Sequence, residues 1–186
     1  MSNQTHTQRK EHQAEYEGWI RLLATRFTHH ITLNPHRPAG LDRGNPRLRG
    51  ADAHSLLRRW DARMNRELVG KGWQNPNNKR LRCRWIAVPE GHELNRHWHL
   101  LFKLSPDLSP LRLEDVCIKY FVKSTDHNSD LLSLLANRHW KAVAPSGTAR
   151  ADLISSATGI SHYLSKQMYL EELQGGLISS LEFQSD

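Results

Sequence analysis

Between Leu81 and Leu104 the chain alternates in character. Leu81, Cys83, Trp85 and Ala87 take one parity, and Arg82, Arg84, Ile86, Val88 and Glu90 take the other. After a turn-like stretch from Gly91 to Arg96, the alternation resumes. Trp98, Leu100, Phe102 and Leu104 share one side, and His97, His99, Leu101 and Lys103 share the opposite side. Period-two alternation marks strands whose two faces meet different surroundings. Joining the segments as an antiparallel hairpin with Glu90 opposite His97 sets Val88 against His99, Ile86 against Leu101 and Arg84 against Lys103. A slip of one residue would turn the arginines into the core, so the pattern selects this register. One face is then wholly apolar and needs helices packed on it. The other gathers Glu90, His97 and His99 at one end and Arg82, Arg84 and Lys103 at the other.

The same reading extends along the chain. Arg26 to Asn34 reads as a strand, with Phe27, Ile31 and Leu33 on one side and Thr28, His30, Thr32 and Asn34 on the other. Pro35 to Gly50, rich in proline, glycine and arginine, is a basic loop. Asp52 can cap a helix from about Ala53 to Val69, whose apolar stripe is Ala53, Leu56, Leu57, Trp60, Met64 and Leu68. Arg112 to Lys123 and Asp130 to Arg138 read as helices, and Trp140 to Val143 and Ala151 to Ile154 as strands around a turn. A last helix starts at Ser156 or Thr158 and runs to about Leu173. Residues 1–18 are expected to be a flexible polar arm, 19–176 the folded domain and 177–186 a tail. The fold class is α+β: an antiparallel sheet with helices packed on one face.

With 186 residues, 38% of them hydrophobic, the chain is long enough for a single domain with a real core. It has no apolar stretch long enough to span a bilayer and no apolar signal core near its start, and its two cysteines, Cys83 and Cys117, form neither a disulfide scaffold nor a zinc-ribbon spacing. These features point to the cytoplasm and away from a membrane. A net charge of +7 and a pI of about 9.7 favour an anionic partner, nucleic acid foremost.

Charge placement and titratable groups sharpen that expectation. His97 and His99, two apart on a strand, project to one side, and the hairpin sets Glu90 beside them. Two imidazoles and a carboxylate with open positions suit a divalent ion that also grips a phosphate. His92 and Glu93, in the turn, compete with Glu90 for the third place. Tyr163 and Lys166 lie one helical turn apart, beside the core stripe of Ile160, Leu164 and Met168. A phenol is a nucleophile for phosphorus when its developing charge is stabilised, and a lysine and a metal-bound phosphate both do that. Arg82, Arg84 and Lys103 share the sheet face of the metal candidates, where a basic groove can follow a phosphate backbone. Arg47, Arg49, Lys79 and Arg80 are more peripheral. Trp19, Trp60, Trp73 and Trp140 are open to either core or base-stacking roles.

These segments, in this order, resemble the HUH endonucleases, in particular the single-tyrosine branch that initiates rolling-circle replication. Phe27-Thr28-His29-His30-Ile31-Thr32-Leu33-Asn34 is similar to that family's first motif, His97-Trp98-His99-Leu100-Leu101-Phe102 to its His-hydrophobic-His motif, and Tyr163-Leu164-Ser165-Lys166 to its Tyr-x-x-Lys motif. The tyrosine follows the histidine pair, as in initiators and transposases and unlike conjugative relaxases. The resemblance covers about residues 26–172. It implies a ferredoxin-like, RRM-like sheet and a Mn²⁺ or Mg²⁺ ion on Glu90, His97 and His99. It also implies nicking and joining of single-stranded DNA at an origin or hairpin through a 5′-phosphotyrosine on Tyr163, assisted by Lys166. Thr32 and Asn34, from the first motif, join Arg82, Arg84 and Lys103 as expected DNA contacts. No ATPase segment follows, so a separate host helicase is the expected partner. The first motif departs from the pattern by carrying two histidines. Tyr169 lies about 120° around the helix from Tyr163, which sets the chain apart from the two-tyrosine branch. Two alternatives stand beside this reading: a single-tyrosine transposase of the same superfamily, and an inactive sheet-based nucleic-acid-binding regulator.

Overall fold

A computed structural model describes residues 6–35, 53–90, 97–121, 131–167 and 177–183. In chain order these form α1 (His6–Ala24), β1 (His29–Asn34), α2 (Ala53–Leu68), a 3₁₀ turn (Pro76–Leu81), β2 (Arg84–Glu90) and β3 (His97–Lys103). They continue with α3 (Pro110–Phe121), α4 (Leu131–Lys141), β4 (Thr148–Leu153), α5 (Ala157–Gln167), β5 (Ile178–Ser179) and a closing 3₁₀ turn (Ser180–Phe183). The fold is α+β. Its five strands form one antiparallel sheet in the order β4-β1-β3-β2-β5.

The β2–β3 hairpin has the register that alternation selects: Glu90 pairs with His97, Val88 with His99, Ile86 with Leu101 and Arg84 with Lys103. On the apolar face, Trp85, Ala87, Leu100 and Phe102 meet Leu57, Trp60 and Met64 of α2, Val116 of α3, and Leu135 and Trp140 of α4 in one buried cluster. Trp60 and Trp140 are therefore core residues. Among the described residues no helix is long and apolar enough to cross a membrane.

Several elements differ from their expected form. Residues 6–24 are helical where a polar arm was expected over 1–18. Ile20, Leu23, Ala24 and Phe27 recur at helical spacing, and Ile20 and Ala24 are buried with Leu101 of β3 and Leu164 of α5. Thus α1 and α5 cover part of the second sheet face, in addition to the helices on the first. The tail expected over 177–186 contributes β5, whose Ile178 and Ser179 pair with Ala87 and Ile86. The Ser180 hydroxyl accepts a hydrogen bond from the Trp85 amide at 3.1 Å. The strand expected from Leu81 starts only at Arg84, because Asn75 caps the 3₁₀ turn that ends at Leu81. The first strand begins at His29, three residues later than expected. Trp140 ends a helix instead of starting a strand, and its indole N–H reaches the Asn34 carbonyl at 2.9 Å. Gly147 is needed there, since a Cβ would come within 2.6 Å of the Trp140 indole nitrogen. Asp52, residues 36–50 and the expected helix beyond residue 167 lie outside the described residues.

A polar cluster sits inside the main core. Asp61 of α2, fully buried, accepts the Trp85 indole N–H at 2.7 Å, while Asn65 accepts the Cys83 amide at 2.9 Å. The second oxygen of Asp61 has no hydrogen-bond partner. Burial pushes the Asp61 carboxyl up to about 6, against the lowering effect of its hydrogen bonds to Trp85 and Asn65. Burial likewise raises the Cys83 thiol, helped by the charge of Asp61, so Cys83 stays a protonated core residue. The folded chain holds a proton on Asp61 that the unfolded chain has released. Stability from this group is therefore present at low pH and is lost as pH rises from about 4 to about 6. Asp61→Asn keeps the acceptor for Trp85 and removes this titration. Across that window its stability relative to wild type is expected to improve by about 2–3 kcal/mol, measured by urea midpoints at each pH. The buried imidazole of His139, held down to about 4 mainly by burial, contributes with the opposite sign. It cancels because it is present in both proteins. An unchanged wild type–variant difference would refute the assignment.

Candidate metal centre and tyrosine

The strand registers lay out the second sheet face as rows. Thr32, His99 and Val88 lie side by side on β1, β3 and β2, and β4 adds Arg150 beside Thr32. The next row is Asp152, His30, Leu101 and Ile86. On the far side of the first row is the Glu90–His97 pair. Leu101 is the point where α1 and α5 press on the sheet. The histidines therefore sit at the margin of that helical pad, and α5 carries Tyr163 to them.

Glu90, His97 and His99 each offer a ligand atom, all within 4.8 Å of one another, and among the described residues they form the only such group. The His97 Nε2 lies 3.1 Å from the Glu90 Oε2, and the His99 Nε2 contacts the same oxygen. The other ring nitrogen of His99 is within hydrogen-bond distance of His30 Nε2 at 2.9 Å and of Thr32 Oγ1 at 3.3 Å. His30 stacks on His99, with ring centroids 5.1 Å apart. With an ion on its Nε2, His99 would turn an Nδ1–H toward His30 and Thr32, the kind of partner that orients a ligating imidazole. Burial, then the neighbouring His30 and His97, hold His99 down to about 3, so at neutral pH it is an uncharged imidazole with a lone pair to give. His30 is also lowered by burial, partly offset by the charge of Asp152.

Tyr163 lies against this group. Its ring centroid is 5.3 Å from that of His99 and 5.9 Å from that of His30, and the residue is 43% exposed. Burial first, and the Glu90 charge second, raise its phenol above the usual range, so the free protein carries it protonated. Lys166 follows one turn later on α5 and is exposed. His162 ties α5 to α1 through Glu17 at 3.5 Å.

The basic residues part company. Arg82 is buried ahead of β2, not on the sheet face: its Nε donates to the Trp73 carbonyl at 2.8 Å and its Nη2 to the Gln74 carbonyl at 3.0 Å. With its guanidinium carbon 5.6 Å from the Trp73 ring centroid, it clamps the segment before β2 and is not placed to hold a phosphate. Arg84 and Lys103 do face each other on the expected side, but the Leu101 row separates them from His99, and Lys103 lies over the Phe27 ring at 5.7 Å. Thr32 belongs to the His99 environment, whereas Asn34 is seen holding Trp140 through its carbonyl. Lys79 and Arg80 are exposed on the 3₁₀ turn. His92, Glu93, Arg47, Arg49 and Tyr169 lie outside the described residues.

Three residues beside the site escaped the sequence reading as participants: His30, Arg150 and Asp152. Arg150 bonds the Asp152 carboxylate at 2.8 Å on the open edge of β4. The signal was present. Ala149 and Ala151 alternate with Arg150 and Asp152, which places the charged pair on the face of His30 and Thr32. Comparison of the chain with protein-family models, with curated proteins and with solved structures finds no match.

Proposed function

We propose that this chain is a metal-dependent endonuclease of the HUH type that nicks and rejoins single-stranded DNA, at the start of rolling-circle replication. The observation that carries the reading is the approach of the Tyr163 ring to within 5.3 Å of His99, in a cluster with Glu90 and His97. The motif order in the sequence and the net charge of +7 support it.

The donor set fits a divalent cation such as Mn²⁺ or Mg²⁺. It combines a carboxylate and two imidazoles, one of them held neutral and oriented by a partner on its far nitrogen. When bound, the ion polarises the scissile phosphate and offsets the Glu90 charge that opposes ionisation of the phenol. The chain supplies the remainder. The Tyr163 Oη attacks phosphorus, the bond from phosphorus to the 3′ oxygen breaks, and the phenolic proton leaves as the 3′ oxygen gains one. The products are a 5′-phosphotyrosine and a free 3′-hydroxyl. Reversal with another 3′-hydroxyl rejoins a strand without ATP, because the ester bond is conserved in the link. Lys166, one turn from Tyr163, offsets charge on the attacking oxygen or the phosphorane.

Incubation with a randomised pool of single-stranded oligonucleotides and Mn²⁺ tests this reading. A covalent adduct that maps to the Tyr163 peptide is the expected result. Binding to duplex in preference to single strands, with no adduct, would overturn it.

A further inference from the structure

Beside this centre a cleft of about 270 Å³ runs between the β4 edge and the first turns of α5. His30 and Tyr163 form part of its lining, so cleft and centre are continuous. Asp152, Ser156, Gly159 and Ile160 contribute to the remaining wall.

Gly159 is the informative residue. It is the third residue of α5, one turn before Tyr163 and on the same side, and its N–H donates to the Ser156 Oγ at 3.1 Å. Its backbone is not left-handed, and an added Cβ would meet nothing closer than Ser156 at 3.5 Å, an ordinary contact. Glycine is a weaker helix former than alanine, though less costly in a first turn than in a helix interior. The fold thus bears a weak helix former at a position where, unlike Gly147, no packing demands it. What glycine supplies is bare backbone on the cleft wall, open to a flat group. The lining also offers an acceptor. Asp152 sets a carboxylate in the cleft; Arg150 holds its Oδ1 and offsets its charge, and the carboxylate's remaining acceptor capacity suits a base N–H. The volume is near the lower bound for ligand pockets, enough for one unpaired nucleoside and too small for a base pair.

We propose that this cleft receives the base of the nucleotide flanking the scissile phosphate, laid against the α5 backbone at Gly159 and bordered by Tyr163, with Asp152 accepting from its N–H edge. The inference rests on the proposed function and adds to it the element that reads a base out of its stack.

Gly159→Leu fills the cleft from a helix-compatible position, so its melting temperature is expected to equal or exceed that of wild type. The strand recovered from the randomised pool is then assayed intact and with an abasic site at each nucleotide in turn. In wild type, one abasic site flanking the cut is expected to raise the strand concentration for half-maximal adduct rate by roughly tenfold to a hundredfold, the loss of one base contact. Gly159→Leu is expected to show that loss with the intact strand and no further loss with the abasic one. A variant that keeps the wild-type concentration dependence overturns the cleft assignment alone. A wild type that neither binds single strands nor forms an adduct overturns the endonuclease reading, and this inference with it.

Discussion

Tyr163→Phe is expected to abolish the covalent protein–DNA adduct while leaving single-strand binding nearly unchanged. The substitution removes one hydroxyl and keeps the ring that packs edge-on to His99 and His30. Among the described residues the Tyr163 hydroxyl has no hydrogen bond to lose, and the residue is partly exposed, so stability should stay within about 0.5 kcal/mol of wild type. A structural tyrosine would give a small, graded change, whereas a nucleophile gives total loss, because the oxygen that bonds phosphorus is gone. Tyr169→Phe is expected to retain activity. The measurement is denaturing electrophoresis with labelled oligonucleotide, followed by peptide mapping. An adduct in the Tyr163 variant, or DNA mapped to Tyr169, would show that the nucleophile is elsewhere.

The second large effect concerns the metal. His97→Ala is the cleanest disruption, because its side chain is 18% exposed, whereas His99 is almost wholly buried against His30 and Thr32. In wild type, Mn²⁺ at a hundred times its dissociation constant is expected to add about 2.7 kcal/mol of stability. For a chain of this length that raises the melting temperature by about 5–10 °C. His97→Ala should lose both this shift and strand cleavage. Glu90→Ala should do the same, while Glu93→Ala should do neither, since Glu90 shares the pair position with His97. Cleavage that persists in EDTA, or an equal thermal shift in the variant, would remove the ion from the mechanism.

Much of this was legible in the sequence wherever alternation was strict. The hairpin register followed from the single fact that arginines and tryptophans cannot exchange faces, and it brought Glu90 to His97 without any further assumption. Ile86, Val88 and Leu101 carried a message that the sequence reading passed over. Apolar residues on the face reserved for chemistry meant that helices pack there too, and α1 and α5 do. α1 was obscured because its exposed surface is polar and its buried stripe is narrow, so composition outweighed spacing. Arg82 was misplaced because strand parity was carried two residues beyond the strand, into a segment set by the Asn75 cap and by hydrogen bonds from the guanidinium to backbone carbonyls. β5 was hidden for a different reason: two residues hold no periodicity to read.

The strand order has a consequence for how the molecule acquires its site. β1, made early, finds both of its neighbours far along the chain: His29 meets Phe102 on one side and Leu153 on the other. Long loops must close before either pairing gives any return, which slows folding relative to a chain dominated by local contacts. While the chain is still emerging from a ribosome, His30 and Thr32 have no His99 to hold, and Tyr163 arrives last of all. The cluster of His99, His30, Thr32 and Tyr163 is therefore a product of complete folding, and a nascent fragment that ends before α5 lacks the tyrosine proposed as nucleophile.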